Sequence, residues 1–228
     1  MHKKTLLAFL ILDVLLINAC KQMSQESSHS SGSIVYSIRY LNDDLSSKLE
    51  ELLPKSMQLV FDQEQAVNNI EGFLGMYSLN TVTDFTNRRC STFLKVFDRN
   101  YLYQGKRGEL MCCFDTMEDM EIEETGESRM IAGLKCKRAI VSFPSSNERY
   151  DIYYTQEFDL RNPNLNNPYK KIDGVLMQFE LQLFHLRMEF IAENFNSQPI
   201  RQSKSTLPRS STEITRDQMA QLLFKLLE

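Results

Sequence analysis

Apolar residues fall at every second position through VLMQFELQLFHLRMEFIAEN, residues 175–194, and no other stretch of the chain restricts the fold so tightly. Val175, Met177, Phe179, Leu181 and Leu183 alternate with the mostly polar Leu176, Gln178, Glu180 and Gln182, which is the two-residue period of a strand with one buried face. If Phe184 and His185 form a two-residue turn, Leu183 meets Leu186, Leu181 meets Met188 and Phe179 meets Phe190. Both strands then turn their apolar sets to the same side, and a one-residue slip in register destroys that agreement. His185 falls at the turn tip, a solvated position.

The same period recurs from residue 34 onward. Ile34, Tyr36, Ile38 and Tyr40 share a face, and strand-like runs follow at 57–67, 73–83, 92–97, 101–104, 109–115, 131–143 and 150–158. Two helices interrupt this meander. Asn42-Asp43-Asp44 supplies a cap for a short helix that carries Leu45, Leu49, Leu52 and Leu53 at helical spacing and stops at Pro54. Near the end of the chain Thr215 and Gln218 form a capping box, with Ile214 and Met219 set as a hydrophobic staple. Met219, Leu222, Leu223, Leu226 and Leu227 make one apolar stripe, expected to cover the sheet rather than a partner helix. The polar segment 196–211 connects sheet to helix. The fold class is therefore mainly β (α+β).

The first twenty residues have a different grammar. MHKKTLLAFLILDVLLINAC runs from a basic start through an apolar stretch to Ala19 and Cys20, the three parts of a secretory signal. The run Thr5 to Ile17 is shorter than the roughly 20 residues of a membrane span, and Asp13 interrupts it. Ile17-Asn18-Ala19-Cys20 resembles the bacterial lipoprotein box, in which the cysteine is acylated and becomes the mature N-terminus. The expected organisation is a signal peptide over 1–19, a lipidated flexible tether over 20–33 containing His29, and one folded domain over 34–228. Lys21-Gln22-Met23-Ser24 after the cysteine, in place of an acidic run, points to a periplasm-facing anchor, with the outer membrane as its expected site.

An oxidising compartment permits disulfides among Cys90, Cys112, Cys113 and Cys136, and sequence does not choose among the pairings. Neighbouring cysteines on a strand point to opposite faces, which argues against a bond between Cys112 and Cys113. Paired C-x2-C spacing is absent, so no zinc site is expected. The acidic cluster Glu118, Asp119, Glu121, Glu123, Glu124 and Glu127 lacks the ligand spacing of a calcium loop and reads as a solvated face before a Thr125-Gly126 turn. The loop 162–174 is either a static connection or a lid.

Function classes narrow by composition. A net charge of −4 with scattered Lys and Arg gives no footprint for nucleic acid. The chain holds three His and no phosphate loop, G-x-S-x-G elbow or H-E-x-x-H, so a non-enzymatic role without cofactor or metal is expected, a hydrolase using acidic residues being the residual option. Fourteen Phe and eleven Met suit a core or cavity of adaptable apolar side chains.

The words TGESRMIAGLKCKRAIVSF (125–143), NPNLNNPYKKIDGVLMQFEL (162–181) and HLRMEFIA (185–192) resemble, in that order, uncharacterised Gram-negative envelope proteins of GLPGLI-like families of unknown function. Such proteins look like relatives of the lipoprotein carriers LolA and LolB. The resemblance implies a strongly curved antiparallel half-barrel with an early helix and a C-terminal helix packed on its concave face, and a hydrophobic cavity between them. A lipid or acyl chain is the expected ligand, with Phe179, Leu181, Leu183, Met188 and Phe190 as its lining and the membrane reached through the lipid on Cys20. The alternative is a cavity plugged by the protein's own helices, with an envelope protein as partner of the outer surface.

Overall fold

The computed structural model describes residues 28–198 and 210–227. In chain order the elements are β1 (Gly32–Tyr40), α1 (Ser47–Leu52), β2 (Ser56–Phe61), β3 (Gln65–Glu71), β4 (Tyr77–Asp84), β5 (Arg89–Val96), β6 (Arg99–Gln104), β7 (Glu121–Ile131), β8 (Leu134–Phe143), β9 (Glu148–Thr155), β10 (Val175–Leu183), β11 (Leu186–Asn196), β12 (Thr212–Glu213) and α2 (Arg216–Leu227). All twelve strands belong to one sheet, ordered β12-β6-β5-β4-β3-β2-β1-β11-β10-β9-β8-β7. Two antiparallel meanders, β2 to β6 and β7 to β11, are joined through β1, which pairs with β2 on one side and β11 on the other. Among the described strands only β12 runs parallel to its neighbour, pairing Thr212 with Tyr101 and Glu213 with Leu102. The architecture is mainly β: one open, mostly antiparallel sheet with a C-terminal helix.

The β10/β11 hairpin has the expected register, with Leu183 opposite Leu186, Leu181 opposite Met188 and Phe179 opposite Phe190. At its tip Phe184 takes a φ of 55°, which costs a non-glycine residue about 1 kcal/mol or more. Its ring packs edge-on against Phe224 of α2, with centroids 5.3 Å apart, so the turn is held by the helix. The alternation along β10 breaks once. The register with β9 shifts between Leu176 and Gln178, leaving Met177 as an extra residue in that pairing.

Several boundaries differ from expectation. Residues 57–67 are two strands: Asp62 Oδ1 accepts the N–H groups of Glu64 and Gln65, both at 2.9 Å, and turns the chain between β2 and β3. Residues 131–143 likewise contain a turn, with Ala132 and Gly133 at φ 49° and 82°; two consecutive positive φ values suit a hairpin of right-handed twist. The acidic cluster is largely an edge strand, β7, and Thr125-Gly126 is a bulge within it, marked by a register shift between Glu124 and Ser128. The early helix starts at Ser47 with Ser46 as its cap, later than Asn42-Asp43-Asp44 led one to expect, because the Ser46 hydroxyl accepts from Leu49 N. The domain boundary also moves. Gly32 and Ser33 are already in β1, and His29, expected to be solvated, exchanges backbone hydrogen bonds with Glu157 and Asp159 while its ring meets Phe195 at 4.9 Å. Cys20 and most of the tether lie outside the described residues, as does most of the connection 196–211.

Residues 109–115, expected as a strand, are an irregular loop running into a single 3-10 turn at Asp115–Met117. Cys112 and Cys113 are bonded to each other there. The opposite-face objection to that bond holds only on a strand, and in this turn Cys113 has a φ of 79°. Cys90 and Cys136 are free and buried.

Candidate ligand-binding cavity

The capping box fixes where α2 begins. Thr215 N donates to Gln218 Oε1 at 2.9 Å, Gln218 N donates to Thr215 Oγ1 at 3.2 Å, and Ile214 N donates to Leu102 O of β6 at 2.9 Å. From that anchored start the stripe turns inward. Met219 and Leu223 are buried, and Leu223, Leu226 and Leu227 form part of the wall of a cavity of about 150 Å3.

The strands supply most of the remaining wall. Ile38, Met57, Ile70, Leu79, Leu94, Phe179, Leu181, Met188 and Phe190 reach it from β1, β2, β3, β4, β5, β10 and β11. Ladder register explains their meeting: Met57 lies opposite Ile70, Ile70 opposite Leu79, and Leu79 opposite Leu94, so one apolar row crosses four strands. The next row is polar. Asn68 lies opposite Thr81 and donates to its Oγ1 at 3.2 Å, and Thr81 lies opposite Thr92. Phe179 stacks on Phe190 with centroids 5.0 Å apart and planes 8° from parallel.

Two loops add to the wall. Met111, Cys112 and Phe114 come from the loop after β6, and Asn167 from the loop between β9 and β10. The loops are tied together, because Met111 N donates to Asn166 O at 2.7 Å and Asn166 Nδ2 donates to Glu109 O at 2.6 Å. The second loop is bonded within itself and to β10: Asn164 Nδ2 donates to Ile172 O and Gly174 O at 2.9 and 2.8 Å, and Tyr169 OH bonds Glu180 O. Gly174 admits no side chain, since a Cβ there would lie 2.7 Å from Thr155 O.

Among the described residues no charged side chain lines the cavity. Burial pushes the phenol of Tyr77 up to about 12 and that of Tyr40 higher still, so both wall tyrosines stay neutral at ordinary pH. Tyr40 OH donates to Pro54 O at 2.7 Å. Such a wall offers apolar contact and a few neutral hydrogen-bonding groups. No cluster of three metal-ligating side chains occurs among the described residues.

The five residues expected to line a cavity, Phe179, Leu181, Leu183, Met188 and Phe190, are brought together on this one wall. Sequence reasoning missed the other half. The apolar row of β2 to β5 was readable as alternation, but nothing local pairs it with β10 and β11. Of the missed residues, Asn166 and Asn167 carried a weak signal in the Asn-rich loop; Met111 and Cys112 carried none, having been read as strand.

Fold and cavity together define a class: a single open β-sheet with a terminal helix and, between them, a largely apolar cavity without charged side chains among the described residues. No family model and no curated protein matches the chain. Among solved structures it is similar to PNGF-II, at 12% identity and a TM-score of 0.53 over 86% of this chain and 33% of that one. It thus spans a third of that protein's length, and the likeness is one of fold. A second similarity, to LprF from Mycobacterium bovis, has 12% identity and a TM-score of 0.31, covering 82% of this chain and 91% of that one.

Proposed function

We propose that this protein is a non-enzymatic envelope lipoprotein, tethered to a membrane through Cys20 and facing the periplasm, which holds the apolar chain of a lipid or acyl compound between its sheet and α2. One observation carries this reading: a cavity of about 150 Å3 whose wall, among the described residues, contains no charged side chain. A cavity of about that size accommodates a benzene-sized molecule. The volume therefore suits one short hydrocarbon chain and not a whole two-chain lipid. Each buried methylene contributes about 0.8 kcal/mol, so about eight correspond to a dissociation constant in the tens of micromolar before the cost of immobilising the chain.

A curved sheet is part of the proposal. Neighbouring strands lie about 4.8 Å apart, so the seven from β5 through β1 to β10 would spread over about 29 Å if flat. That one cavity of about 150 Å3 touches all seven supports a half-barrel wrapped around it. α2 fills part of the trough and leaves the rest free, which favours ligand binding over a fully plugged interior.

Titration of the purified protein with octyl and decyl compounds, read by calorimetry and native mass spectrometry, tests the ligand. Uptake of one chain per molecule, weakened by Leu94→Phe, is expected; no uptake at all counts against the reading. Cys20→Ser tests the tether. It should release the protein from the membrane fraction or block maturation, and unchanged processing with retained membrane association removes the anchor.

A further inference from the structure

On the face of the sheet turned away from the apolar cavity, an open groove of about 620 Å3 lies between the β4/β5 turn and the loop after β6. Strand alternation separates the two spaces: along β5, Thr92 and Leu94 line the cavity, whereas Arg89 and Ser91 line the groove. Ladder register builds its floor. Arg89 lies opposite Asp84 and Ser91 opposite Gln104, while Thr86, Asn87 and Arg107 reach it from the turn and the loop.

In the sequence Arg88-Arg89 and Lys106-Arg107 are two separate basic pairs, and the fold brings them to one place. Gly108 N donates to Arg88 O and Gly105 N to Cys90 O, both at 2.8 Å, which pins the loop against the turn. The nearby acids are already engaged. Asp84 accepts from Asn87 N and Asn87 Nδ2, both at 2.8 Å, and Glu109 accepts from Lys106 N and Tyr103 OH at 2.6 and 2.8 Å. Arg39, Arg138, Arg187 and Arg216 each hold a carboxylate, but among the described residues these four basic side chains form no ion pair. All four are exposed. Four positive charges against the two carboxylates leave two in excess here, on a chain whose net charge is −4.

We infer that this groove binds a small polyol phosphate, its phosphate monoester held between Arg89 and Arg107 and its hydroxyls on Thr86, Asn87, Ser91 and Gln104. A guanidinium presents paired donors that match two oxygens of an anion. A carboxylate has two oxygens and fills one such fork, whereas a phosphate monoester has three free oxygens and engages both. The remaining lining is neutral: two hydroxyls and two amides that donate and accept, as the hydroxyls of a polyol do. At about 620 Å3 the groove falls within the roughly 300–1,000 Å3 of small-molecule sites, more than a bare ion fills. It lies on the other face from the apolar cavity and stands whether or not that cavity takes up a chain.

The test titrates the purified protein at pH 8 and low salt, by isothermal calorimetry, with sn-glycerol 3-phosphate, inorganic phosphate, glycerate and sn-glycero-3-phosphoglycerol, the head group of phosphatidylglycerol without its chains. Glycerol 3-phosphate should bind about tenfold more tightly than inorganic phosphate or glycerate, the equivalent of one added hydrogen bond. Arg89→Gln and Arg107→Gln should each weaken it about fivefold, the upper range for an exposed ion pair, while Arg149→Gln, the same change of charge at an exposed site on β9, leaves it unaltered. Inorganic phosphate equal to glycerol 3-phosphate overturns the polyol; glycerate binding as tightly overturns the phosphate. A diester that binds tightest overturns the monoester and moves the ligand to a lipid head group. Equal losses in all three variants, or no binding by any probe, overturn the groove as a site.

Discussion

Asn164→Ala should lower the stability of this protein by about 3 kcal/mol, and Asn164→Asp should lower it further. Asn164 is 4% exposed, and its side chain makes three hydrogen bonds, donating to Ile172 O and Gly174 O and accepting from Asn167 Nδ2. At about 1 kcal/mol net for each bond, truncation to alanine removes about 3 kcal/mol. For a domain of this size that corresponds to a melting temperature lower by roughly 6–12 °C. Aspartate keeps the accepting oxygen and has nearly the same shape, yet it turns a second oxygen toward two carbonyl oxygens. An unpaired buried charge costs about 3–5 kcal/mol, so the aspartate variant should melt below the alanine one. Thermal melts followed by circular dichroism at neutral pH give the order directly. An alanine variant within about 1 kcal/mol of wild type, or an aspartate variant as stable as the alanine one, would refute the idea that donation by this side chain fixes the loop.

Three further outcomes are expected. Glu109 is held below the usual carboxylate value of 4.5, first by the N–H of Lys106 and then by Tyr103 OH and Arg216; a lowered folded value gives stability that is present above the unfolded one and lost as pH falls through it. Acid unfolding below pH 4.5 should therefore be shallower in Glu109→Gln, as urea midpoints across that range would report. Burial pushes the thiols of Cys90 and Cys136 up to about 12, so peptide mapping after alkylation at pH 8 should find both unlabelled in the native protein and labelled in denaturant. Thr215→Ala removes one half of the α2 capping box and should cost about 1 kcal/mol, seen as faster amide exchange in the first turn of that helix.

How much of this was legible in the sequence depended on whether the deciding contact was local. The β10/β11 hairpin was legible because two apolar faces and a two-residue turn agree on only one register. The α2 start was legible for the same reason, since Thr215 and Gln218 satisfy each other within a single turn. The β2/β3 turn was hidden because Asp62 makes it without glycine or proline, and the alternation of its flanks reads straight through. The bulge at Met177 is imposed by β9, a partner more than twenty residues upstream. The loop carrying Met111 and Cys112 takes its shape from Asn166, over fifty residues away, so no local pattern encodes it. The cavity was therefore half visible: the strands that build it alternate, whereas the loops that enclose it are fixed by long-range amide bonds.

A sheet that does not close on itself leaves two borders along which another chain can add. At one border β12 is two residues long, too short a template for a second molecule to extend. The other, β7, is eleven residues long and lacks that protection, but Glu121, Glu123, Glu124 and Glu127 stand exposed along it and Gly126 kinks it out of line. Two copies approaching β7 to β7 would set carboxylates against carboxylates across an interrupted ladder, and both features oppose pairing. The acidic stretch thus serves as a fence: it keeps a protein built largely of strands from polymerising with itself along its long open border.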